Sequence, residues 1–185
     1  MKPALFLDRD GVINREINYL YRIDDFEFIP GTFAACRFFQ NRGYCLIVIT
    51  NQAGIGRGYY TEADFHQLNG WMLDRFKAEG VHIAQTYFSP YHPTHGIGPY
   101  RCDHRDRKPN PGMLQRAQQD WQIDLSASIM VGDKESDIQA GLAAGVSTTV
   151  LVRSGHSISE ANTRAAAVID SLADLPRLFS LPDRR

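Results

Sequence analysis

Three aspartates stand just after short apolar runs and could share one site. Asp8 and Asp10 follow Ala4-Leu5-Phe6-Leu7, and Asp133 follows Ile129-Met130-Val131 and one glycine. Carboxylates this close repel one another unless a proton or a cation neutralises them. A hard divalent ion with oxygen ligands resolves that repulsion, so the pattern predicts Mg²⁺. A lone aspartate after a strand is as often a cap or turn residue as a residue of a functional site, whereas three aspartates that converge indicate a metal site.

Residues suited to phosphate occur at two further places. Thr50 follows the apolar run 46–49. Its hydroxyl can donate a hydrogen bond to a phosphate oxygen, and so can the backbone N–H groups of the next three residues, Asn51, Gln52 and Ala53. Two cations, Arg107 and Lys108, stand just before a predicted helix. Pro109 follows them and suits the start of that helix, where a backbone N–H would have no partner within the helix. Phosphate chemistry at a metal site is the reaction class that these residue types favour.

Alternating strands and helices must position these residues. We predict strands at 4–7, 46–49, about 83–88, 129–131, 148–152 and 168–169, and helices at 32–41, from 61 onward, at 109–121, 136–144 and 172–179. A glycine-rich loop is expected at 53–58, with Thr32 as a helix cap. Continuous apolar runs between helical patterns are typical of strands buried on both faces of a parallel sheet, where ligands bind at the carboxyl ends. The prediction is one Rossmann-like, doubly wound α/β domain over 1–185, with a mainly parallel sheet, helices on both faces and a frayed tail at 182–185.

Composition excludes several classes of protein. A length of 185 residues suits one domain, and a net charge of −1 implies no basic face for a nucleic acid. The first apolar run is too short for a signal-peptide core or a membrane span. Cys36, Cys45 and Cys102 make no disulfide framework, which indicates a reducing cytosol. We expect a cytoplasmic monomer with no nucleic-acid and no membrane partner.

Four motifs together resemble those of the haloacid dehalogenase superfamily of phosphohydrolases. They are Asp8-x-Asp10-Gly11, Thr50-Asn51 after an apolar strand, Arg107-Lys108-Pro109, and Gly132-Asp133-Lys134-x-x-Asp137. Longer strings are similar to the heptose bisphosphate phosphatase family within it, a close relative of the histidinol-phosphate phosphatases; they lie at 6–11, 50–58, 131–134 and 151–155. The resemblance spans nearly the whole chain.

That resemblance implies roles for the three aspartates. Asp8 would be the nucleophile that forms an aspartyl-phosphate. Asp10 would protonate the leaving oxygen and then act as general base for water. Asp8, Asp133 and the backbone carbonyl of Asp10 would hold the Mg²⁺.

The resemblance also implies how substrate is held. Thr50 and Lys108 would stabilise the transferring phosphoryl group, and Arg107 and Lys134 would contact substrate. The mouth of the site would be lined by Glu16, Asn18 and Tyr19. The implied substrate is a small phosphorylated sugar, first heptose 1,7-bisphosphate cleaved at the 7-phosphate for nucleotide-heptose and lipopolysaccharide biosynthesis. The alternative is histidinol phosphate or another small sugar phosphate.

Two other classes of function compete with a phosphatase. A non-catalytic phosphate-binding module would need a damaged nucleophile or metal ligand, yet Asp8, Asp10 and Asp133 are all present. A phosphomutase usually needs a lid that excludes water. No insertion of helical-domain size separates the motifs, so we expect an open site without a large cap domain.

The irregular loop at 89–107 departs from the pattern of these families. Relatives often carry a structural zinc loop there, and its four ligand positions correspond to Ser89, Tyr91, His104 and Asp106. Serine and tyrosine are poor zinc ligands, so we expect no zinc. A shifted set is the less favoured alternative, made of His92, His95, Cys102 and His104. The changed loop bears on the choice of substrate and not on the reaction.

Overall fold

A computed structural model describes residues 1–180 and contains one six-stranded sheet. Its strands are β1 (Ala4–Leu7), β2 (Cys45–Asn51), β3 (Ile83–Ser89), β4 (Ile129–Gly132), β5 (Thr148–Val152) and β6 (Ala167–Ile169). They lie in the order β3-β2-β1-β4-β5-β6, and every neighbouring pair is parallel. The strand order reverses beside β1, so a ligand crevice is expected at its carboxyl end.

Helices cover both faces of the sheet. They are α1 (Thr32–Gln40), α2 (Ala53–Gly56), α3 (Glu62–Ala78), α4 (Gly112–Trp121), α5 (Glu135–Ala144) and α6 (Leu175–Leu178). Successive strand residues point to opposite faces. Leu5 therefore packs in one core with Phe39 of α1 and Met72 of α3, while Phe6 packs in the other with Leu114 of α4. The predicted fold class, a doubly wound parallel α/β sheet, is confirmed.

Three local predictions were wrong. Residues 53–56 form a helical turn, α2, and not a loop. The helix after Lys108 begins at Gly112 and not at Pro109, because the Gly112 N–H donates to the carbonyl of Arg105 (2.9 Å) and closes a turn first. Thr32 is the first residue of α1 and does not cap it, since its hydroxyl donates to the Ile29 carbonyl at 2.8 Å.

The segments that follow β1 and β2 leave the carboxyl edge of the sheet open. In residues 1–180 they contain loops, short turns and the helices α1 to α3, with no large cap domain. The same residues include no helix with the length and apolar character that crossing a membrane requires. The tail predicted to fray at 182–185 lies outside the described residues. That 1–185 forms a single domain stays a prediction.

Candidate active site

Three strand ends bring the predicted site residues to one edge of the sheet. Asp8 directly follows β1, Thr50 and Asn51 are the last residues of β2, and Asp133 directly follows β4. β1 pairs with both neighbours, so these ends are adjacent. They surround a small cavity of about 60 Å³, here called the inner cavity, which is lined by Asp8, Asp10, Glu16, Asn51, Lys108, Lys134, Ser136 and Asp137.

A buried lysine joins two carboxylates in the inner cavity. The Lys108 ammonium lies 3.0 Å from Asp8 and 2.6 Å from Asp137, and its Nζ donates to the Ile49 carbonyl at 2.9 Å. Burial raises the pKa of Asp8 to about 6, although the charge of Lys108 opposes that shift. Burial by itself lowers the pKa of Lys108, but the charges of Asp137 and Asp8 outweigh it and raise that pKa above its ordinary range. The Lys108 cation thus partly neutralises the negative charge of Asp8 and Asp137.

The Asp10 carboxylate is held from two sides. Arg9, whose side chain is 1% exposed, donates to Asp10 Oδ1 through Nε (3.1 Å) and Nη2 (2.9 Å), and Asn14 donates to the same oxygen at 3.0 Å. Gln52 donates to Asp10 Oδ2 at 3.1 Å and accepts a hydrogen bond from the Tyr60 hydroxyl. Sequence reasoning missed Arg9, Asn14 and Tyr60; the position of Arg9 between two aspartates was the available signal.

Residues of β2 and the loop before α4 hold each other in place. Asn51 donates to the Lys108 carbonyl (3.0 Å), and its side-chain oxygen accepts the Lys108 N–H (3.1 Å). Thr50 is buried, and its hydroxyl accepts a hydrogen bond from Gln52 at 2.9 Å. Ala53 begins α2 directly after Gln52. The two hydrogen bonds of the Asn51 side-chain amide therefore fix the position of the Lys108 backbone, from which the lysine side chain extends.

Asp8, Asp133 and Asp137 form a buried oxygen cluster suited to a metal ion. One oxygen of each lies within 4.8 Å of the others. Asp133 Oδ1 is buried and, among residues 1–180, has no hydrogen-bond partner. Burial, and then the charge of Asp8, raises the pKa of Asp133. A hard cation such as Mg²⁺ prefers oxygen ligands and offsets that charge, so these residues fit the predicted metal.

Asp137, a member of that cluster, and His156 beside it were not predicted as site residues. Asp137 Oδ2 accepts the Lys134 N–H at 2.9 Å. Asp133 Oδ2 accepts the backbone N–H of His156 at 2.9 Å and lies 2.6 Å from Nδ1 of the same residue. The matched motif that includes Asp137 was the only signal for it. No local pattern pointed to His156, which approaches from the segment after β5.

Two glycines leave room for Asp133. A Cβ atom on Gly11 or on Gly155 would overlap the Asp133 carboxylate. Gly11 also has a φ of +84°, in the left-handed region that side chains disfavour. The glycine after Asp10 therefore serves both the turn and the close approach of the segment after β1 to the Asp133 carboxylate.

A larger cavity of about 430 Å³, here called the outer cavity, continues outward from the inner one. It shares Asp10, Glu16, Asn51, Lys108, Lys134 and Ser136 with the inner cavity and is further lined by Asn18, Tyr19, Gln52, Ala53, Gly54, Arg57, Tyr60, His92, Arg107, Pro109 and His156. All the residues predicted to bind substrate line one or both cavities, except Thr50, which is buried beneath them. Arg57 is an addition that sequence reasoning missed.

The loop at 89–107 does not gather the shifted zinc set. The His92 and His95 rings lie 4.7 Å apart, but the Cys102 thiol points to the Pro99 carbonyl and His104 stacks on Tyr91 at 3.9 Å. Within residues 1–180, the aspartate cluster described above is the only group of three or more potential ligands whose ligand atoms lie within 4.8 Å of one another. The expectation that the loop binds no zinc stays a prediction.

Comparison with known proteins identifies relatives of the whole chain. The HAD-hydrolase-like family model matches residues 106–175. The chain is 53% identical to D-glycero-alpha-D-manno-heptose-1,7-bisphosphate 7-phosphatase of Burkholderia mallei, over 93% of this chain and 90% of that protein. It is 48% identical to D-glycero-beta-D-manno-heptose-1,7-bisphosphate 7-phosphatase of Escherichia coli, over 95% and 92%.

A solved structure shares the fold. It is D,D-heptose 1,7-bisphosphate phosphatase from B. bronchiseptica in complex with magnesium and phosphate, with a TM-score of 0.78, 26% identity and coverage of 96% of this chain and 97% of that one. The resemblance inferred from the motifs is confirmed. The chain belongs to the haloacid dehalogenase superfamily and, within it, to the family of the heptose-1,7-bisphosphate 7-phosphatases.

Proposed function

We propose that the protein is a Mg²⁺-dependent phosphomonoesterase that removes the 7-phosphate of D-glycero-D-manno-heptose 1,7-bisphosphate. The observation that carries the proposal is the Lys108 ammonium 3.0 Å from Asp8, beside a cluster of three buried carboxylates. The family to which the chain belongs supports the choice of sugar. This reaction would serve nucleotide-heptose supply for lipopolysaccharide.

Asp8 is the proposed nucleophile. Its carboxylate oxygen attacks phosphorus while the bond from phosphorus to the C7 oxygen breaks, which gives an aspartyl-phosphate and the sugar. The Arg9 N–H donates to Asp8 Oδ1 at 2.8 Å, and the Lys108 charge favours the ionised form. Both contacts orient the attacking carboxylate and offset its negative charge.

Asp10 is the proposed general acid and base. It gives a proton to the leaving C7 oxygen, then takes one from the water that attacks the aspartyl-phosphate and releases inorganic phosphate. Arg9 donates to both oxygens of its carboxylate, and Gln52 donates to Oδ2. The Asp10 carboxyl group therefore keeps one orientation while it acts first as acid and then as base.

Cations and donors on the chain would stabilise the transferring phosphoryl group. Lys108 supplies the positive charge nearest Asp8, and Thr50 and the backbone N–H groups of Asn51 and Ala53 supply donors. The Gln52 N–H, which the sequence also suggested as a donor, already donates to the Ser89 carbonyl at 2.7 Å. Lys134 and Arg107 line the outer cavity, where they can contact the sugar and its second phosphate. The cavity mouth is lined by Glu16, Asn18 and Tyr19.

Asp8 and Asp133, with the backbone carbonyl of Asp10, would hold Mg²⁺. When bound, the ion offsets the charge of the carboxylates and of the phosphoryl oxygens during attack. Asp133 Oδ1, which has no hydrogen-bond partner among residues 1–180, supports this assignment. Asp137 belongs to the same cluster, but it already pairs with Lys108 and accepts the Lys134 N–H, so we assign it to holding Lys108.

Phosphate release from a panel of substrates tests the proposal. The panel contains both anomers of heptose 1,7-bisphosphate, other sugar phosphates and histidinol phosphate, each with Mg²⁺ and with a chelator. We expect Mg²⁺-dependent release of the 7-phosphate, and an Asp8→Asn variant slower by about 10³-fold or more. Asp74→Asn, an exposed aspartate on α3, is the matched control and should keep full activity.

Each outcome decides between named alternatives. Preferred release from histidinol phosphate would replace the proposed substrate. No Mg²⁺-dependent turnover of any compound would favour a phosphate-binding module. Full activity of Asp8→Asn would exclude Asp8 as the nucleophile.

A further inference from the structure

A chain of hydrogen bonds through buried side chains ends at Asp10. The Tyr60 hydroxyl donates to Gln52 Oε1. The side-chain nitrogen of Gln52 donates in turn to Asp10 Oδ2 at 3.1 Å and to Thr50 Oγ1 at 2.9 Å. Tyr60, Gln52 and Thr50 are all buried. Tyr60 stands at the far end of this chain and is linked to Asp10 and Thr50 through Gln52.

The Tyr60 hydroxyl determines which way round the Gln52 amide lies. A glutamine side chain has two N–H donors and one accepting oxygen, whereas a carboxylate only accepts. With Oε1 toward Tyr60, the N–H groups face Asp10 and Thr50; the reversed amide would set Oε1 against the Asp10 carboxylate. Burial raises the pKa of Tyr60, so its hydroxyl keeps the proton that it donates. Removing this hydroxyl would take away the only partner that Oε1 has among residues 1–180.

Packing holds the Tyr60 ring in place. The ring stacks on Tyr21, with 5.4 Å between the ring centres and an angle of 9° between the planes. A Cβ atom on Gly54 would overlap the Tyr60 ring. The ring also belongs to a small apolar cluster with Ile55 and Phe65. Because these contacts are made by the ring, the hydroxyl can be removed while the ring stays where it is.

Gln52 ties Asp10 to a different part of the chain. The other side chains that donate to Asp10 are its near neighbours in sequence, Arg9 and Asn14. Gln52 follows β2 and lies 42 positions from Asp10. Its amide therefore sets the position of Asp10 relative to Thr50. Since Thr50 Oγ1 accepts from Gln52, the proton of the Thr50 hydroxyl is left for an oxygen of the phosphoryl group.

We propose that Tyr60 is a positioning residue for the reaction, which acts through Gln52 to orient Asp10 and Thr50. The inference rests on the proposed phosphatase function, because it takes Asp10 as the acid and base and Thr50 as a phosphoryl donor. It goes beyond that function by giving a role to a hydroxyl group that exchanges no proton with substrate. The hydroxyl fixes the direction of one amide, and the amide fixes two reacting groups.

Steady-state kinetics of Tyr60→Phe test the inference. This variant removes the hydroxyl and keeps the ring that stacks on Tyr21. With heptose 1,7-bisphosphate and Mg²⁺, we expect kcat to fall by about 10- to 100-fold, since a small displacement of a reacting group can cost that much. KM should stay nearly unchanged, because the interaction acts on the transition state. Tyr59→Phe, at the exposed neighbouring tyrosine, is the matched control and should keep both constants.

A double-mutant cycle tests whether Tyr60 acts through Gln52. Gln52→Met keeps the approximate shape of the side chain and removes both its donors and its acceptor. Adding Tyr60→Phe to Gln52→Met should change kcat by no more than about twofold, the usual error of additivity. If the losses of the two single variants multiply instead, Tyr60 acts independently of Gln52 and the inference is overturned.

The remaining outcomes separate this inference from the proposed function. A raised KM with unchanged kcat in Tyr60→Phe would mean that the hydroxyl contacts substrate, and unchanged values of both constants would mean that it has no role; either result overturns the inference. The ¹⁵N NMR signal of the Gln52 side-chain amide, assigned by its loss in Gln52→Met, needs no turnover. It should shift in Tyr60→Phe and stay in place in Tyr59→Phe, and a signal that stays in place in both also overturns the inference. A wild-type enzyme that releases phosphate from no substrate contradicts the proposed function, whatever this signal does.

Discussion

At the inner cavity Lys108 is buried between Asp8 and Asp137, whereas at the outer cavity Arg57 and Arg107 have no carboxylate partner within residues 1–180. The inner cation is matched by charges of the protein itself. Within residues 1–180 neither outer guanidinium group forms an ion pair, and the charge of Asp103 only partly opposes the lowering of the Arg107 pKa. This difference indicates that inner residues contribute to both folding and reaction, while outer residues act mainly on binding.

The largest expected effect is the loss of folding stability when the buried lysine of the inner cavity is removed. Lys108→Ala removes the partner of two buried carboxylates, and breaking a buried pair typically costs about 3–5 kcal/mol. We expect a loss of that size in the free energy of unfolding, measured by urea denaturation, together with loss of phosphatase activity. The side chain of Lys108 is 1% exposed.

Lys134→Ala is the matched control for Lys108→Ala. Lys134 lines the same cavity, but its side chain is exposed and forms no ion pair in the part of the chain that is described. Its removal should change stability by no more than about 0.5 kcal/mol, as is usual for surface substitutions. Equal losses in the two variants would contradict the assignment of the stability loss to the buried ion pairs of Lys108.

A smaller effect is expected in the dependence of stability on pH. Burial raises the pKa of Asp8 from 3.8 to about 6, so the folded state binds the Asp8 proton more tightly than the unfolded state does. The stabilisation from this proton is complete below pH 3.8 and is lost as the pH rises to about 6. It amounts to at most about 3 kcal/mol, since one pKa unit is about 1.4 kcal/mol.

Urea denaturation of wild type and Asp8→Asn in chelator measures this effect. The stability of wild type relative to Asp8→Asn should fall as the pH rises through that window and stay level above it. Added Mg²⁺ should flatten the dependence, because a cation favours the ionised carboxylate. A relative stability that rises with pH would mean that the charge of Lys108 outweighs burial.

The smallest expected effect lies in the outer loop. The Tyr100 hydroxyl donates to Glu62 Oε1 at 2.7 Å and joins the loop at 89–107 to α3. Tyr100→Phe should lower the free energy of unfolding by about 1 kcal/mol, the net value of a typical hydrogen bond, and leave kcat unchanged. Tyr59→Phe, at an exposed tyrosine, should change neither. A fall in kcat for Tyr100→Phe would show that the loop acts on the inner cavity.

The fold was predictable because its signals are local. The apolar runs at β1, β2 and β4 are continuous and are separated by helical patterns, which is typical of strands buried on both faces of a parallel sheet. The boundaries that were wrong, at 53–56 and at Pro109, depend on hydrogen bonds between residues several positions apart. Such bonds leave no periodic trace in the sequence.

The sequence by itself determined the chemistry that converges on one edge, because residues directly after parallel strands must meet there. Asp8, Thr50 and Asp133 follow from that rule. Only the tertiary structure decided which charges neutralise one another. The pairing of Lys108 with Asp8 and Asp137, and the meeting of Arg57 with Arg107, join segments far apart in the chain. Charge interactions depend on distance and burial in space, which the order of residues does not record.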